Sequence, residues 1–549
     1  MNRATAWHVG AVCAVIALAA ALYVPFLGNP LVFDDRIFFS GRLFSYYATH
    51  PLGFDLRLPA YFSLTMTEVL WGGIRAQRIV SLILHAGCAL ALYRLLFDLQ
   101  RTALRQQPDT DAALCAGIGA AAFALHPVAV YGAAYLVQRS VVLATLFSLL
   151  SVILFLRGLQ RGSHGDALSA ALFYSLAVLS KEHAVLLPAA VVPVVILVRA
   201  ERRFALRHVA IFLLACAPAA IFVTLRSLGV IGGVYEDAFG AIAAQIEAAS
   251  GEDISRQPLA LSAVTQAGLF FKYLGLWLWP DTGAMSIDVR VDFLQMWSAG
   301  WIATKALGFA ACGLAGLAML VRGGATGMAG FGLLYAWILF LVEFSAARFQ
   351  EPFVLYRSYL WAPGVACIAV ALLGRVPRRP AIAAAVVAAG VLFYAAHDRL
   401  ATFSSALRLW DDAATKLPDK PVPWGSRTLY GAGREYLYSG QTEKAIATTE
   451  RCIRLYPQTA QCYYARGAIH LYLEQFELAQ RYLSRALELK PTDGIAVHRL
   501  GLALEGLKRI DEAKAAFRRA VDLGFNGAAF ELQRMESPGS GVLAPKARH

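Results

Sequence analysis

The 549-residue sequence predicts an all-α protein in two parts: a polytopic membrane helix bundle and, after it, a helical-repeat solenoid. Three observations carry this. The chain is 58% hydrophobic and only 16% charged, where average globular chains carry about 25% charged residues. Long apolar runs recur between residues 7 and 397, more than a soluble core needs. After residue 398 the composition turns to Glu, Arg, Lys, Gln and Tyr, and small residues recur at a 34-residue offset.

The first part contains eleven expected spans: 7–27, 78–98, 112–131, 139–157, 168–181, 183–199, 205–225, 301–321, 327–345, 353–374 and 381–397. The run before residue 27 has one Arg ahead of it and no convincing small-residue cleavage site, so it reads as a retained helix. Sidedness follows from Lys and Arg in the short loops. Segments 101–111, 157–164, 199–207 and 375–379 are basic and fall on the cytoplasmic side if the N-terminus does. Residues 28–77, 226–300 and everything after about 398 then face the other way. The aromatic stretch 268–280 (GLFFKYLGLWLWP) reads as an interfacial or re-entrant helix, and 51–77 as an amphipathic surface helix. The net charge of +13 is therefore largely a topology signal, and a nucleic-acid partner is not implied.

In the second part Gly433, Gly467 and Gly501 fall in register, as do Ala445, Ala479 and Ala513, and Pro457 with Pro491. A 34-residue period with small residues at these offsets is the tetratricopeptide pattern. Stacked repeats of this kind present a concave surface to protein partners. The expected domains are 1–397 (membrane domain), 398–423 (connecting or capping helices), 424–535 (repeats) and 536–549 (a disordered tail). Six of the eight cysteines sit in apolar runs, where Cys acts as a small hydrophobe. Cys452 and Cys462 lie in the repeats and are able to pair in an oxidising compartment.

Ionisable residues at membrane depth are costly and invite a functional reading. On the predicted outer face these are Asp34, Asp35, Arg57, His126, Arg139, Lys181, Glu182, His183, Lys272, Arg348, Glu351 and Arg357. Mixed cations and carboxylates there suit a lipid-phosphate donor. Arg and Lys hold the phosphate, and a carboxylate takes the proton of an incoming hydroxyl. Each residue also has a purely structural reading. The Asp pair caps a helix, His126-Pro127 ends one, Arg139 and Arg357 snorkel, and Lys181-Glu182-His183 anchors at the interface.

The ordered segments NPLVFDDRIFF, RIVSLILHAGCALALYRLL, AAFALHPVAVYGAAYLVQRSVVLATLFSLL, LAVLSKEHAVLLP and VLYRSYLWAP, followed by a tetratricopeptide tail, resemble the transmembrane-and-tetratricopeptide O-mannosyltransferases and their bacterial relatives. These are GT-C integral-membrane glycosyltransferases. The resemblance covers almost the whole chain. It implies sugar transfer from a polyprenyl-phosphate-linked donor on the periplasmic or lumenal face. It implies catalysis by the acidic motif Asp34-Asp35; because two neighbouring carboxylates should not both be free to act identically, Asp35 is slightly favoured as the base. It maps the His-Pro motif onto His126, the following arginine onto Arg139, the Lys-Glu motif onto Lys181-Glu182 and the late arginine onto Arg357. Donor phosphate is thus expected at Arg139, Arg357, Lys181 and Lys272, and substrate positioning at His126, Glu182, His183 and Arg57. The late motif departs from the family's Glu-Arg-Tyr as Tyr356-Arg357-Ser358, and the early Arg-Pro element stands as Arg57-Leu58-Pro59.

The expected function is glycosylation of Ser or Thr of a protein docked by the repeats, in a bacterial inner membrane with the N-terminus cytoplasmic and the repeats periplasmic. The alternatives are a lipid or surface-glycan acceptor, or a non-enzymatic membrane-anchored scaffold. No cofactor is specified; the absence of a Cys/His ligand set argues against structural zinc, and a carboxylate-bound Mg²⁺ or Mn²⁺ stays open.

Overall fold

The computed structural model describes residues 3–51, 53–104, 107–234, 258–292 and 299–536. The expected disordered tail lies outside them apart from Glu536, as do 235–257 and 293–298 of the expected outer segment. The chain divides into two compact units, Met1–Leu409 and Trp410–His549. The division falls inside the segment expected to connect them. Both units are helical, and the described residues contain one isolated β-bridge, Val234 to Ala347.

The first unit opens with α1 (Arg3–Tyr23). Three short helices follow: α2 (Asp34–Ser40), α3 (Arg42–Thr49) and α4 (Leu58–Leu70). α5 (Gly73–Ala103) and α6 (Asp109–Ala124) come next, and α7 (Pro127–Ala133) continues α6 across a 64° bend. Then come α8 (Arg139–Arg161), α9 (His164–Ser180), α10 (Leu187–Val198), α11 (Arg202–Arg226) and α12 (Pro258–Leu278). α13 (Ala299–Arg322), α14 (Gly324–Phe340), α15 (Ala362–Leu373) and α16 (Arg378–Thr402) complete the unit.

Among the described residues eight helices are long and apolar enough to cross a membrane, and nine if the bent α6–α7 pair counts as one span. The expected number was eleven. The difference has a physical origin in three short pieces. Expected span 168–181 is the 17-residue α9, 183–199 is Glu182–Val198, and only Ala362–Leu373 of 353–374 is α-helical. Each falls short of the ~20 residues that cross a bilayer. In exchange, the stretch expected to be a short interfacial helix is the last part of the 21-residue α12, which passes the length and apolarity test. Both ends of α12 nevertheless touch the segment 346–358. Ser262 Oγ accepts the Arg348 N–H at 3.0 Å, and Trp277 donates to Ser358 Oγ at 3.0 Å.

The loops expected to be cytoplasmic gather at one end of the bundle. Arg101 pairs with Asp109 (3.1 Å), Gln160 donates to Thr102 (2.9 Å) and Arg375 to Thr326 (2.8 Å), and the Arg378 guanidinium sits 4.2 Å from the centre of the Trp7 ring. Inside the bundle, α14 and α15 cross at two glycines. A Cβ on Gly332 would lie 2.3 Å from the Gly364 carbonyl oxygen, so any larger residue at either position forces the helices apart.

The second unit stacks α18 (Gly425–Tyr438), α19 (Thr442–Leu455), α20 (Ala460–Tyr472), α21 (Phe476–Leu489), α22 (Gly494–Gly506), α23 (Ile510–Asp522) and α24 (Gly527–Glu536), after α17 (Ala406–Thr415). The in-register small residues are where paired helices meet. A Cβ on Gly433, Gly467 or Gly501 would lie 3.0, 2.7 or 2.6 Å from Thr449, Leu483 or Phe517. Those three partners are themselves 34 residues apart. Ala445, Ala479 and Ala513 are fully buried. Cys452 and Cys462 form a disulfide between α19 and α20, across the turn that carries Pro457.

Candidate active site

The acidic motif opens α2. Phe33 precedes it in the left-handed region (φ 49°, ψ −128°), a conformation that costs a non-glycine residue about 1–3 kcal/mol and clusters at functional sites. The motif's two carboxylates have different surroundings. Asp35 is fully buried. Its carboxylate accepts the N–H of Val137 at 2.8 Å and of Val32 at 3.4 Å. Burial pushes its pKa up to about 7, against the pull of the Val137 N–H and the Arg78 charge. Arg78, in turn, donates to the carbonyls of Asn29 (2.7 Å), Pro30 (2.7 Å) and Ala134 (2.8 Å). Asp35 and Arg78 thereby fasten the 29–35 loop to the segment after α7.

Asp34 is exposed, and its backbone N–H donates to the Tyr135 hydroxyl at 3.1 Å. It lines a narrow cleft with Tyr135, Asp288, Glu351, Phe353 and Tyr356. Successive helical residues point about 100° apart, so the two neighbours face different surroundings: Asp35 inward, Asp34 to the cleft. The expected preference for Asp35 as the base is at odds with this placement.

Behind Tyr356 lies a cluster of cations. Lys181 is 6% exposed. Its ammonium stands 5.8 Å from the centre of the Tyr356 ring and has no hydrogen-bond acceptor among the described residues. The charges that bear on it are Arg57, Glu182, Arg357 and Arg348. Arg57 also sits in the left-handed region (φ 63°). It makes a bidentate pair with Glu182 at 2.8 and 3.2 Å, and the Glu182 charge raises its pKa further. Arg348 and Arg357 share Glu343 (3.2 and 3.4 Å), and Arg357 also donates to the Glu351 carbonyl at 3.0 Å. His183 lies between the two carboxylates, 3.5 Å from Glu182 and 3.3 Å from Glu343. The structure thus brings together Arg57, Lys181, Glu182, His183 and Arg357.

Of the other three expected site residues, two are engaged inside the bundle and the third stands against Phe353, a residue that lines the cleft. Arg139 was expected to hold phosphate. It is 1% exposed, and its N–H groups go to Ser81 Oγ (3.3 Å), Ser63 Oγ (3.1 Å), Thr67 Oγ1 (3.2 Å), the Gln77 carbonyl (2.7 Å) and Gln77 Oε1 (2.9 Å). With five N–H groups so engaged, it clamps α4 and α5 to α8 and has none left for a ligand. His126 was expected to position substrate. Its Nδ1 instead accepts the Val128 N–H at 3.2 Å as the N-cap of α7, with its ring stacked on Trp277 at 4.2 Å. Pro127 takes the first helical position, where its missing N–H costs nothing. The His-Pro motif is therefore the bend between α6 and α7. Lys272 is exposed, with its ammonium 4.4 Å from the centre of the Phe353 ring.

Sequence reasoning missed Glu343 and Arg78. A lone acid inside an expected span (327–345), and an Arg at the start of another (78–98), were the available signals. Among the described residues no three His, Cys, Asp or Glu side chains are grouped to hold a metal ion. Asp34, Asp288 and Glu351 line the cleft without forming such a set.

Family models described as tetratricopeptide repeat match residues 426–459, 460–493 and 496–523. The chain is similar to BBSome complex member BBS4 of Mus musculus, 28% identical over 139 residues, a quarter of each chain. It therefore spans about a quarter of that relative's length. Among solved structures, the Arabidopsis OM64 TPR domain is 28% identical and covers 20% of this chain and 94% of its own, with a TM-score of 0.20. An Archaeoglobus fulgidus oligosaccharyltransferase tethered with an acceptor peptide is 14% identical and covers 78% of this chain and 58% of its own, with a TM-score of 0.37.

Proposed function

We propose that the chain is a GT-C-type membrane glycosyltransferase that moves a sugar from a polyprenyl-phosphate-linked donor to a Ser or Thr hydroxyl of a protein recruited by the repeats. One observation carries the reading: Lys181 is a buried cation with no hydrogen-bond acceptor among the described residues, set among Arg57, Arg348 and Arg357 with Glu182 beside it, and one aromatic ring away from the cleft of Asp34. A buried ammonium without a hydrogen-bonding partner is costly. A phosphate supplies the missing acceptor, and arginines favour it through paired N–H groups.

In this reading Asp34 is the base. The acceptor oxygen attacks the anomeric carbon, its proton passes to the Asp34 carboxylate, and the bond from that carbon to the phosphate oxygen breaks. The electron pair stays on the leaving phosphate, where Lys181 and the arginines stabilise the growing charge. Asp35 and Arg78 set the loop that presents Asp34. The basic loops face the cytoplasm. The site and the repeats face an oxidising compartment, the periplasm of a bacterial inner membrane, which suits the Cys452–Cys462 disulfide.

The test is the intact mass of secreted and envelope proteins from cells carrying the wild-type chain or Asp34→Asn. Loss of a discrete sugar mass from one or a few proteins, with the variant at normal abundance, supports the reading. A change confined to lipid or glycan fractions moves the acceptor to that class. No change in any fraction removes Asp34 from the chemistry and leaves the scaffold reading.

A further inference from the structure

Glu343 is the centre of the charged network and belongs to none of the sequence motifs. It is 4% exposed and ends the α14 segment, in the 3₁₀ turn Leu341–Ser345. Three cationic or protonatable side chains converge on its carboxylate: Arg348 at 3.2 Å, Arg357 at 3.4 Å and His183 Nε2 at 3.3 Å. Through His183 it reaches Glu182, and through Glu182 it reaches Arg57. Two pieces of chain far apart in sequence, 181–183 and 343–357, are thus tied by one carboxylate. Lys181, on the first piece, and the two arginines, on the second, are the groups an anion would meet.

We propose that Glu343 is a positioning residue of the anion site. It orients Arg348 and Arg357 toward the space beside Lys181 and, with His183, holds the two pieces in register. The proposal rests on the anion-binding part of the proposed function. Its electrostatics make it unusually testable, because two roles for Glu343 predict opposite signs. Of the fixed charges here, Arg57, Lys181, Arg348 and Arg357 outnumber Glu182, Glu343 and Glu351 by one. If Glu343 only offsets positive charge, neutralising it leaves a surplus of two and an anion binds more tightly. If Glu343 aims the arginines, neutralising it releases them and the anion binds more weakly, since bidentate contact depends on geometry.

The experiment uses the full-length chain in detergent, with farnesyl phosphate as probe and farnesol as its uncharged control, read by titration calorimetry. The variants are Lys181→Met, Glu343→Gln, Glu343→Asp and His183→Gln, each checked for a cooperative thermal transition. The wild type is expected to bind the phosphate in preference to the alcohol, and Lys181→Met to lose that preference. Glu343→Gln is expected to weaken phosphate binding about tenfold or more, and Glu343→Asp to recover most of the loss. His183→Gln is expected to weaken it about threefold, because the arginines keep Glu343 but lose its tie to Glu182.

Failure of the wild type to prefer the phosphate, or an unaltered preference in Lys181→Met, overturns the anion site and this proposal with it. A lost preference in Lys181→Met together with unchanged or tighter binding in Glu343→Gln overturns the role of Glu343 alone. Should Glu343→Gln fail to fold, Glu343→Asp decides: affinity between that of wild type and that of Lys181→Met supports positioning, and affinity equal to wild type, with His183→Gln also unchanged, overturns it.

Discussion

Two buried cations, Arg139 and Lys181, lie in the bundle, and they are built in opposite ways. Arg139 has five internal hydrogen bonds to Ser63, Thr67, Ser81 and Gln77. Lys181 has the Tyr356 ring, three neighbouring arginines, the Glu182 charge and no hydrogen-bond acceptor among the described residues. The difference teaches that burial alone does not mark a binding group. A buried charge whose bonds all close inside the protein holds helices together. One whose bonds stay open is, in the proposed function, the place an anion fills. The same contrast separates Asp35, enclosed by backbone N–H groups, from Asp34, which faces the cleft.

The largest expected effect is on Asp34. Asp34→Asn should lower sugar transfer by about 10³-fold with an unaltered melting temperature, because a base at the cleft contributes rate rather than stability. A loss of fold in this variant would put Asp34 on the structural side of the divide. Lys181→Met should lower transfer about 10²-fold and leave the melting temperature equal or higher, since a buried charge with no hydrogen-bond acceptor among the described residues is removed. Arg139→Met should do the reverse. It strands the Gln77 carbonyl and amide oxygens in the interior and should cost about 3 kcal/mol, read as lost folded protein in size exclusion and thermal melts.

A smaller effect is expected in the repeats. Mass spectrometry with alkylation before and after reduction should show two of the eight cysteines protected until reduction, Cys452 and Cys462. Replacing both by Ala should cost the repeat unit about 2 kcal/mol. Alkylation of all eight without reduction would place the repeats in a reducing compartment. The smallest effect is on Asp35. Its native pKa of about 7 lies above the usual carboxylate value. The native state therefore binds the proton more tightly than the unfolded chain, and its contribution to stability is full below about pH 4 and declines as pH rises to 7. Asp35→Asn keeps an acceptor for the Val137 N–H and should remove that decline, flattening the dependence of stability on pH between about pH 4 and 7. A steeper decline in the variant would mean the ionised carboxylate is what Arg78 requires.

The repeats were legible because their signal is steric. Gly433, Gly467 and Gly501 each face a large partner side chain, and that need writes itself into the sequence at a fixed period. Seven spans were legible from length and apolarity. α12 was under-read because Lys272 and a dense aromatic run made only its second half stand out, whereas its first half, from Pro258, is helical too. The candidate site was half legible. Composition and order brought out Arg57, Lys181, Glu182, His183 and Arg357. They could not separate Asp34 from Asp35, because that distinction depends on the helical phase set by Phe33. Nor could they reveal that Arg139 meets α4 and α5, since its acceptors lie 58 to 76 residues away in the chain. Glu343 was hidden because it reads as the end of an apolar run.

The central claim is that the Lys181 region serves a ligand and the Arg139 region serves the fold. The most direct measurement pairs Lys181→Met with Arg139→Met in one experiment, recording thermal melts of the purified chains and the sugar mass on envelope proteins of the same cells. The account predicts a crossed result: Lys181→Met melts like wild type and the sugar is lost, while Arg139→Met accumulates little folded protein. A Lys181→Met chain that unfolds, or that folds and leaves the sugar in place, contradicts it.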